Sequence, residues 1–208
     1  DFQRGSNAAT YIFNNITVNS TRRLRFQHAV TVNGTINTSL NSYLEFNGNN
    51  NTFNSTVNIA SISNNSYNIR FGNEAADVNT FNSAVTIAGS TVNTDRIRFF
   101  QSTFNSTVTL SGTDPGAQFY DNCTFNGFVS VSPTGATRFY DNDRFYAGAT
   151  FGDFTRFTQQ NAGGTSTQFI GNFPVIFPDN ADVYAIREIS FGGTVTFGDN
   201  TYQAFFDN

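Results

Sequence analysis

The chain predicts an all-β fold, a single-domain parallel β-helix (β-solenoid), and three observations carry that prediction. A phrase of Phe, usually Asn, a small residue, any residue, then two aliphatic positions separated by a polar one recurs along the sequence. It reads TFNSTVNI at Phe53, TFNSAVTI at Phe81, TFNSTVTL at Phe104, TFNGFVSV at Phe125, RFYAGATF at Phe145 and SFGGTVTF at Phe191. Within each phrase apolar and polar residues alternate with period two, which is the pattern of strands and not of helices. A second phrase ending in Phe precedes most anchors: LRF at Leu24, LEF at Leu44, IRF at Ile69 and Ile97, AQF at Ala117, TRF at Thr137 and Thr155, and TQF at Thr167. Units that each expose a hydrophobic face must stack to bury it.

In the phrase at Phe104, Phe104, Ser106, Val108 and Leu110 share the inward face, and Asn105, Thr107 and Thr109 the outward one. The same parity holds for Phe53/Val57/Ile59, Phe81/Val85/Ile87, Phe125/Val129/Val131 and Phe191/Val195/Phe197, with Ile12/Ile16/Val18 and Phe26/Val30/Val32 as earlier variants. The expected core stack is therefore Phe53, Phe81, Phe104, Phe125, Phe145, Phe173 and Phe191, each fully buried ring contributing about 1.5–3 kcal/mol before entropy is deducted. In the second phrase, the Phe and the residue two before it face one side while Arg, Glu or Gln faces the other. Each turn thus needs at least two strands. Stacking at about 4.8 Å gives roughly nine turns and a rod about 40 Å long, right-handed by the crossover rule. Asn54, Asn82, Asn105 and Asn126 fall in register, either as a side-chain amide ladder or as markers of a bend. The first forty residues and residues 146–172 are less regular, but no linker breaks the chain, so residues 1–208 form one domain.

Only 12% of residues are charged, yet 25 Phe and 8 Tyr supply the apolar payload that disordered chains lack. Lys, Met and Trp are absent, so all positive charge is Arg. A start at Asp1 without Met suggests a processed chain or a fragment. The net charge of −4 and a pI near 4.7 argue against nucleic acid as partner. No stretch approaches the roughly 20 apolar residues of a membrane-spanning helix. The lone Cys123 cannot form an internal disulfide. The Asn/Thr/Ser-rich, Lys-free composition points to secretion and a place outside the cell or on its surface.

These phrases, with their generic F-N-S-T-V-T-V pattern over nearly the whole chain, resemble the degenerate turns of right-handed parallel β-helix proteins in bacterial surface adhesins and filaments. The resemblance implies architecture and surface exposure rather than a particular activity.

Parallel β-helices also include polysaccharide lyases and hydrolases, whose chemistry needs clustered carboxylates. Here Asp121 and Asp141 in FYDN, Asp179 in FPDN, Asp199 in FGDN and Asp207 in FFDN are scattered and read as Asp-Asn turns. A calcium ion on Asp121, Asp141 and Asp143 is the alternative, although the glycine-rich nonapeptide of calcium-binding β-rolls is missing. His28 has no second His to build a metal site or a triad with, and reads as a bend or partly buried residue. Cys123 reads as a small packed residue rather than a nucleophile. The column Arg25, Arg70, Arg98, Arg138 and Arg156 projects outward from one sheet and is the candidate contact for acidic glycans; interleaving by Glu45, Gln118 and Gln168 gives the alternative, a solvated ladder. Thr17, Thr31, Thr86, Thr109, Thr150 and Thr196, interrupted by Asn58 and Ser130, form an outward Thr column of the kind an ice-binding solenoid uses, but the companion column two residues earlier is irregular. Nine N-x-S/T sequons, beginning at Asn15, show compatibility with glycosylation.

The closing YQAFFDN matches phrases that elsewhere run on into a new unit, while the first strand, around Tyr11, Ile12 and Phe13, is of the kind that would come next. Phe205 and Phe206 at one end and Tyr11, Ile12 and Phe13 at the other are therefore the candidate assembly ends, since heterologous contacts propagate without closing. The expected function is an extracellular structural subunit of a self-assembling surface filament or adhesin fibre, stacking head-to-tail, with no catalysis, no cofactor and no metal, and with glycans or a cell surface as further partners. A carbohydrate-binding or polysaccharide-cleaving β-helix is the alternative, and an ice-binding solenoid a lesser one.

Overall fold

A computed structural model describes residues 10–19, 22–39, 42–60, 69–73, 76–88, 97–111, 117–131, 137–152, 155–158, 166–185, 189–199 and 201–205. Among them are 27 strands of two to four residues and no helix. The strands form three parallel sheets of nine, and the chain visits the sheets in unbroken rotation. Sheet 1 runs from Tyr11–Phe13 to Ile189–Phe191, sheet 2 from Ile16–Val18 to Val195–Phe197, and sheet 3 from Arg23–Phe26 to Tyr202–Phe205. The fold is a parallel β-solenoid.

The long phrase is two strands, not one. Ser102–Phe104 belongs to sheet 1 and Val108–Ser111 to sheet 2, with residues 105–107 turning between them. Phe104 and Val108 lie an even number of residues apart and both face inward, so alternation alone does not reveal the corner. Each coil consequently has three strands. The same correction separates Phe26, in sheet 3, from Val30 and Val32, in sheet 1. In the first strand the parity is reversed: Tyr11 and Phe13 align with the buried Val30 and Val32, and Ile12 is 69% exposed.

Phe173 is not in the core stack. It is 42% exposed, and its place is taken by Phe169, which aligns with Phe145 and Phe191 because Thr167–Phe169 joins sheet 1 rather than the sheet of the other Arg-Phe and Gln-Phe phrases. Here the corner after the anchor is two residues longer than in neighbouring coils, and Gly171 takes up the slack at φ 109°, a backbone conformation suited to glycine.

Two phenylalanine columns form the core. In sheet 1, Phe53, Phe81, Phe104, Phe125, Phe145, Phe169 and Phe191 stack with ring centroids 4.4–5.0 Å apart. In sheet 3, Phe26, Phe46, Phe71, Phe99, Phe119, Phe139 and Phe157 stack at 4.9–5.3 Å. The columns meet edge to face, as Phe71 does Phe81 at 5.1 Å and Phe99 does Phe104 at 5.3 Å, a geometry that aligns ring edge with ring face. Sheet 2 closes the third side with Val57, Ile59, Val85, Ile87, Val108 and Leu110, all buried.

Both readings of the in-register asparagines hold. They sit at the corner after sheet 1, and their amides form a ladder: Asn54 donates to Asn33, Asn82 to Asn54, Asn105 to Asn82 and Asn126 to Asn105, at 2.8–2.9 Å.

Candidate functional site

The outward face of sheet 3 carries the arginine column. Arg25, Glu45, Arg70, Arg98, Gln118, Arg138 and Arg156 follow one another in register. Gln168 is not among them; it aligns with Arg144 in sheet 1. Glu45 divides the column. Although it points outward, its side chain is fully buried, accepting hydrogen bonds from Arg23 Nε at 2.9 Å and Nη2 at 2.7 Å, from Arg25 Nε at 2.5 Å and from the Tyr43 hydroxyl at 3.0 Å. Arg70 Nη1 stands 4.0 Å away on the other side. Arg25 and Arg70 thus flank an internal carboxylate, while Arg98, Arg138 and Arg156 lie beyond it. Beside these three runs a second outward column, Phe100, Tyr120 and Tyr140, with centroids 4.6 and 4.5 Å apart. The Tyr120 hydroxyl donates to Gln118 Oε1, and Arg138 Nη1 donates to the Tyr140 hydroxyl at 3.4 Å. Guanidinium forks beside tyrosine hydroxyls offer donors to carboxylate or sulfate oxygens.

The corner from sheet 3 to sheet 1 holds Asp77, Asp121, Asp141 and Asp143, while Asp179 and Asp199 sit at the corner from sheet 2 to sheet 3. Asp121–Asn122 and Asp141–Asn142 have φ of 54°, 68°, 24° and 65°, a left-handed conformation that Asp and Asn tolerate better than other residues with side chains. Asn180 after Asp179 does the same at φ 60°, and Asp179 Oδ1 accepts the Asp199 amide at 2.8 Å, tying two successive turns together. Asp207 lies outside the described residues. No group of three or more His, Cys, Asp or Glu among the described residues is placed to hold a metal ion.

Inside the sheet 3 to sheet 1 corner runs a polar column that the repeat reading missed: Asn51, Asn79, Ser102, Cys123 and Asp143, all fully buried. Each lies two residues before a sheet 1 Phe and must share its inward face, and that spacing was the available signal. The column satisfies backbone groups stranded at the bend. Asn51 accepts from the Val30 amide at 3.0 Å and donates to Gly48 O at 2.6 Å and Asn79 Oδ1 at 2.9 Å. Asn79 donates to the carbonyls of Asp77 and Phe100, and Ser102 also donates to Phe100 O, each at 2.9 Å. Cys123 Sγ donates to Tyr120 O at 3.4 Å, and its amide donates to Asp143 Oδ1 at 2.8 Å. The other carboxylate oxygen of Asp143, Oδ2, is buried without a hydrogen-bond partner. Burial pushes the Asp143 carboxyl well above the usual carboxylate range, and it likewise pushes the Cys123 thiol up, with the neighbouring Asp143 charge adding to the effect. A thiol held this way is a packing group.

His28 is half-buried at the sheet 3 to sheet 1 corner, its ring 6.3 Å from that of Tyr11. The expected Thr column belongs to sheet 2, where Thr86, Thr109, Ser130 and Thr150 align; Thr31 aligns instead with Thr52, at the start of a separate sheet 1 column continued by Thr80, Thr103 and Thr124. At the ends of the stack, Tyr11, Phe13 and Leu24 on one side and Ile189, Phe191 and Val195 on the other are only partly buried against the core. Phe205 closes the last strand of sheet 3, and Phe206 lies outside the described residues. Among the described residues, no helix is long and apolar enough to cross a membrane. Comparison with protein-family models, with curated proteins and with solved structures finds no match.

Proposed function

We propose that the chain is an extracellular structural protein, a β-solenoid subunit of a self-assembling surface filament or adhesin fibre whose copies stack head-to-tail through their end coils. The observation that carries this reading is the contrast between the middle and the ends of the stack. Phe81, Phe99 and Phe104 are 0–1% exposed, whereas the equivalent inward positions Tyr11, Phe13, Ile189, Phe191 and Val195 are half-buried and Phe197 is 39% exposed. Among the described residues, the first and last coils thus carry partly covered apolar positions in the same order of sheets, 1, 2 and 3, so a simple translation would align each sheet with its counterpart in the next copy. An inward-pointing charge at an end blocks such stacking. Sedimentation velocity of the wild type and Val195→Lys tests this: concentration-dependent large species in the former and monomers with an unchanged circular dichroism spectrum in the latter support stacking, and identical sedimentation of the two refutes it.

A second reading is favoured by one specific observation, the alignment of Arg98, Arg138 and Arg156 beside the Phe100–Tyr120–Tyr140 column. That face suits an acidic glycan lying along the rod, and Arg138→Ala is expected to weaken retention on an immobilised sulfated polysaccharide.

A further inference from the structure

We propose that the sheet 1 to sheet 2 corner binds a neutral polysaccharide lying along the rod, with Phe128, Tyr146 and Phe173 as stacking platforms and the asparagine ladder as a hydrogen-bonding track. Counting coils by their strands in sheet 1, this corner is described in full from residues 33–35 of coil 2 to residues 192–194 of coil 9, and none of its residues is charged. The outward rows on either side of coils 6 to 9, Thr124 to Ser190 in sheet 1 and Ser130 to Thr196 in sheet 2, hold one charge between them, Arg144. The arginine column of sheet 3 and the aspartates Asp121, Asp141 and Asp179 lie on other parts of the rod. A charged polymer would find few compensating charges among these residues, and a neutral one needs none.

The corner changes character along the rod. Asn33, Asn54, Asn82, Asn105 and Asn126 occupy its first position in coils 2 to 6, and Tyr146 and Ile170 take that position in the next two coils. Each rung of the ladder gives one amide hydrogen to its neighbour, so the exposed asparagines keep a second donor and a carbonyl lone pair for a ligand. At the end of the ladder Phe128 is 40% exposed, Tyr146 39% and Phe173 42%, with Ile170 and Ile176, in the same coil as Phe173, at 36% and 37%. A single exposed apolar side chain is ordinary, but a cluster confined to three successive coils marks an interaction site. The faces of aromatic rings are negative in their quadrupole and attract the polarised C–H groups of a pyranose, while neighbouring amides bond its hydroxyls.

Two of the rings are seated on glycine backbone. Two Phe128 ring carbons lie within 3.4 Å of where a Gly148 Cβ would stand, and three Phe173 ring carbons lie within 3.5 Å of the corresponding point at Gly171. Each ring is thus supported on one side while much of its surface meets solvent, so little ordering is needed on binding. A second copy of the chain fits this patch poorly. Coils 6 to 8 span only about 10 Å at the strand spacing of a sheet, and a patch of that length falls well short of the roughly 800 Å² per partner that a stable protein contact buries. A polymer of sugar rings continues past the patch along the ladder, which lies in line with it.

Affinity electrophoresis of the whole chain in native gels tests the assignment, with hydroxyethyl cellulose, xyloglucan, glucomannan, laminarin and glycogen as neutral probes and polygalacturonate as the acidic comparator. Retardation by at least one neutral polysaccharide is expected. Phe128→Ala, Tyr146→Ala and Phe173→Ala should each raise its Kd about five- to tenfold, the loss of one stacking contact. All three remove exposed rings, so their circular dichroism spectra should match that of the wild type. Arg138→Ala, on sheet 3, is expected to bind the neutral probe as the wild type does, which distinguishes this corner from the acidic-glycan face. The assignment is overturned by no retardation in any neutral gel, by neutral retardation that all three ring substitutions leave unchanged, or by ring substitutions that abolish self-association in sedimentation velocity without altering retardation.

Discussion

Truncating Phe169 and Phe173 to alanine, one at a time, separates a core ring from a surface ring in the one coil where they compete for the same place. Phe169 is 5% exposed, stacks on Phe145 at 4.4 Å and Phe191 at 5.0 Å, and meets Phe151 at 5.7 Å and Phe157 at 6.1 Å edge-on. Its removal forfeits four ring contacts and opens a cavity that strands held in ladder register cannot collapse to fill, at a cost of about 3–5 kcal/mol. Phe173 is 42% exposed, and its removal costs about 1 kcal/mol or less. Stability in a solenoid is approximately a sum over coils and their interfaces, so the losses are best read locally. In native-state hydrogen exchange, Phe169→Ala should lower protection in Val175–Phe177 and Ile189–Phe191 by about two decades or more, and Phe173→Ala by less than about one. Equal losses, or a larger loss from Phe173→Ala, would refute the register of this coil.

Three further outcomes follow from buried polar groups. The folded state raises the Asp143 carboxyl pKa, so the stability linked to its neutral form is fully present below the unfolded value of about 3.9 and is lost as pH rises through the folded value. Asp143→Asn keeps the acceptor for the Cys123 amide, as Asn51 does for the Val30 amide, and should raise the unfolding temperature at pH 7 with a gain that vanishes toward pH 3; a gain independent of pH would contradict this. Cys123, fully buried and with its thiol pKa raised, should react with an aromatic disulfide reagent only after denaturation, and prompt reaction of the native protein would contradict its placement. Glu45→Gln leaves Arg23, Arg25 and Arg70 crowded around a neutral amide and should cost about 1–3 kcal/mol by urea denaturation, less than a wholly buried pair because the arginines keep part of their hydration.

Much of the fold was legible in the sequence because parallel in-register stacking repeats the same side chain at the same place. TFNS phrases at Phe53, Phe81 and Phe104 expose both the Phe column and the Asn ladder directly. The corners were not legible, since a bend across an even number of residues leaves inward parity intact, as between Phe104 and Val108. Loop length hid the rest. Where the corner after Phe169 lengthened, Phe173-Pro174-Val175 imitated an anchor phrase, and only the pairing with Phe145 and Phe191 resolves it. The arginine column was visible from the Arg-Phe phrases, but the clamping of Arg23 and Arg25 on Glu45 depends on which residues neighbour across coils.

Electron microscopy of the wild-type chain at neutral pH, across a dilution series without denaturant, tests the central claim of head-to-tail assembly most directly. Unbranched fibres one solenoid wide, with the strand spacing of about 4.8 Å continuing across subunit junctions, are the expected result. Discrete short rods at every concentration would contradict it.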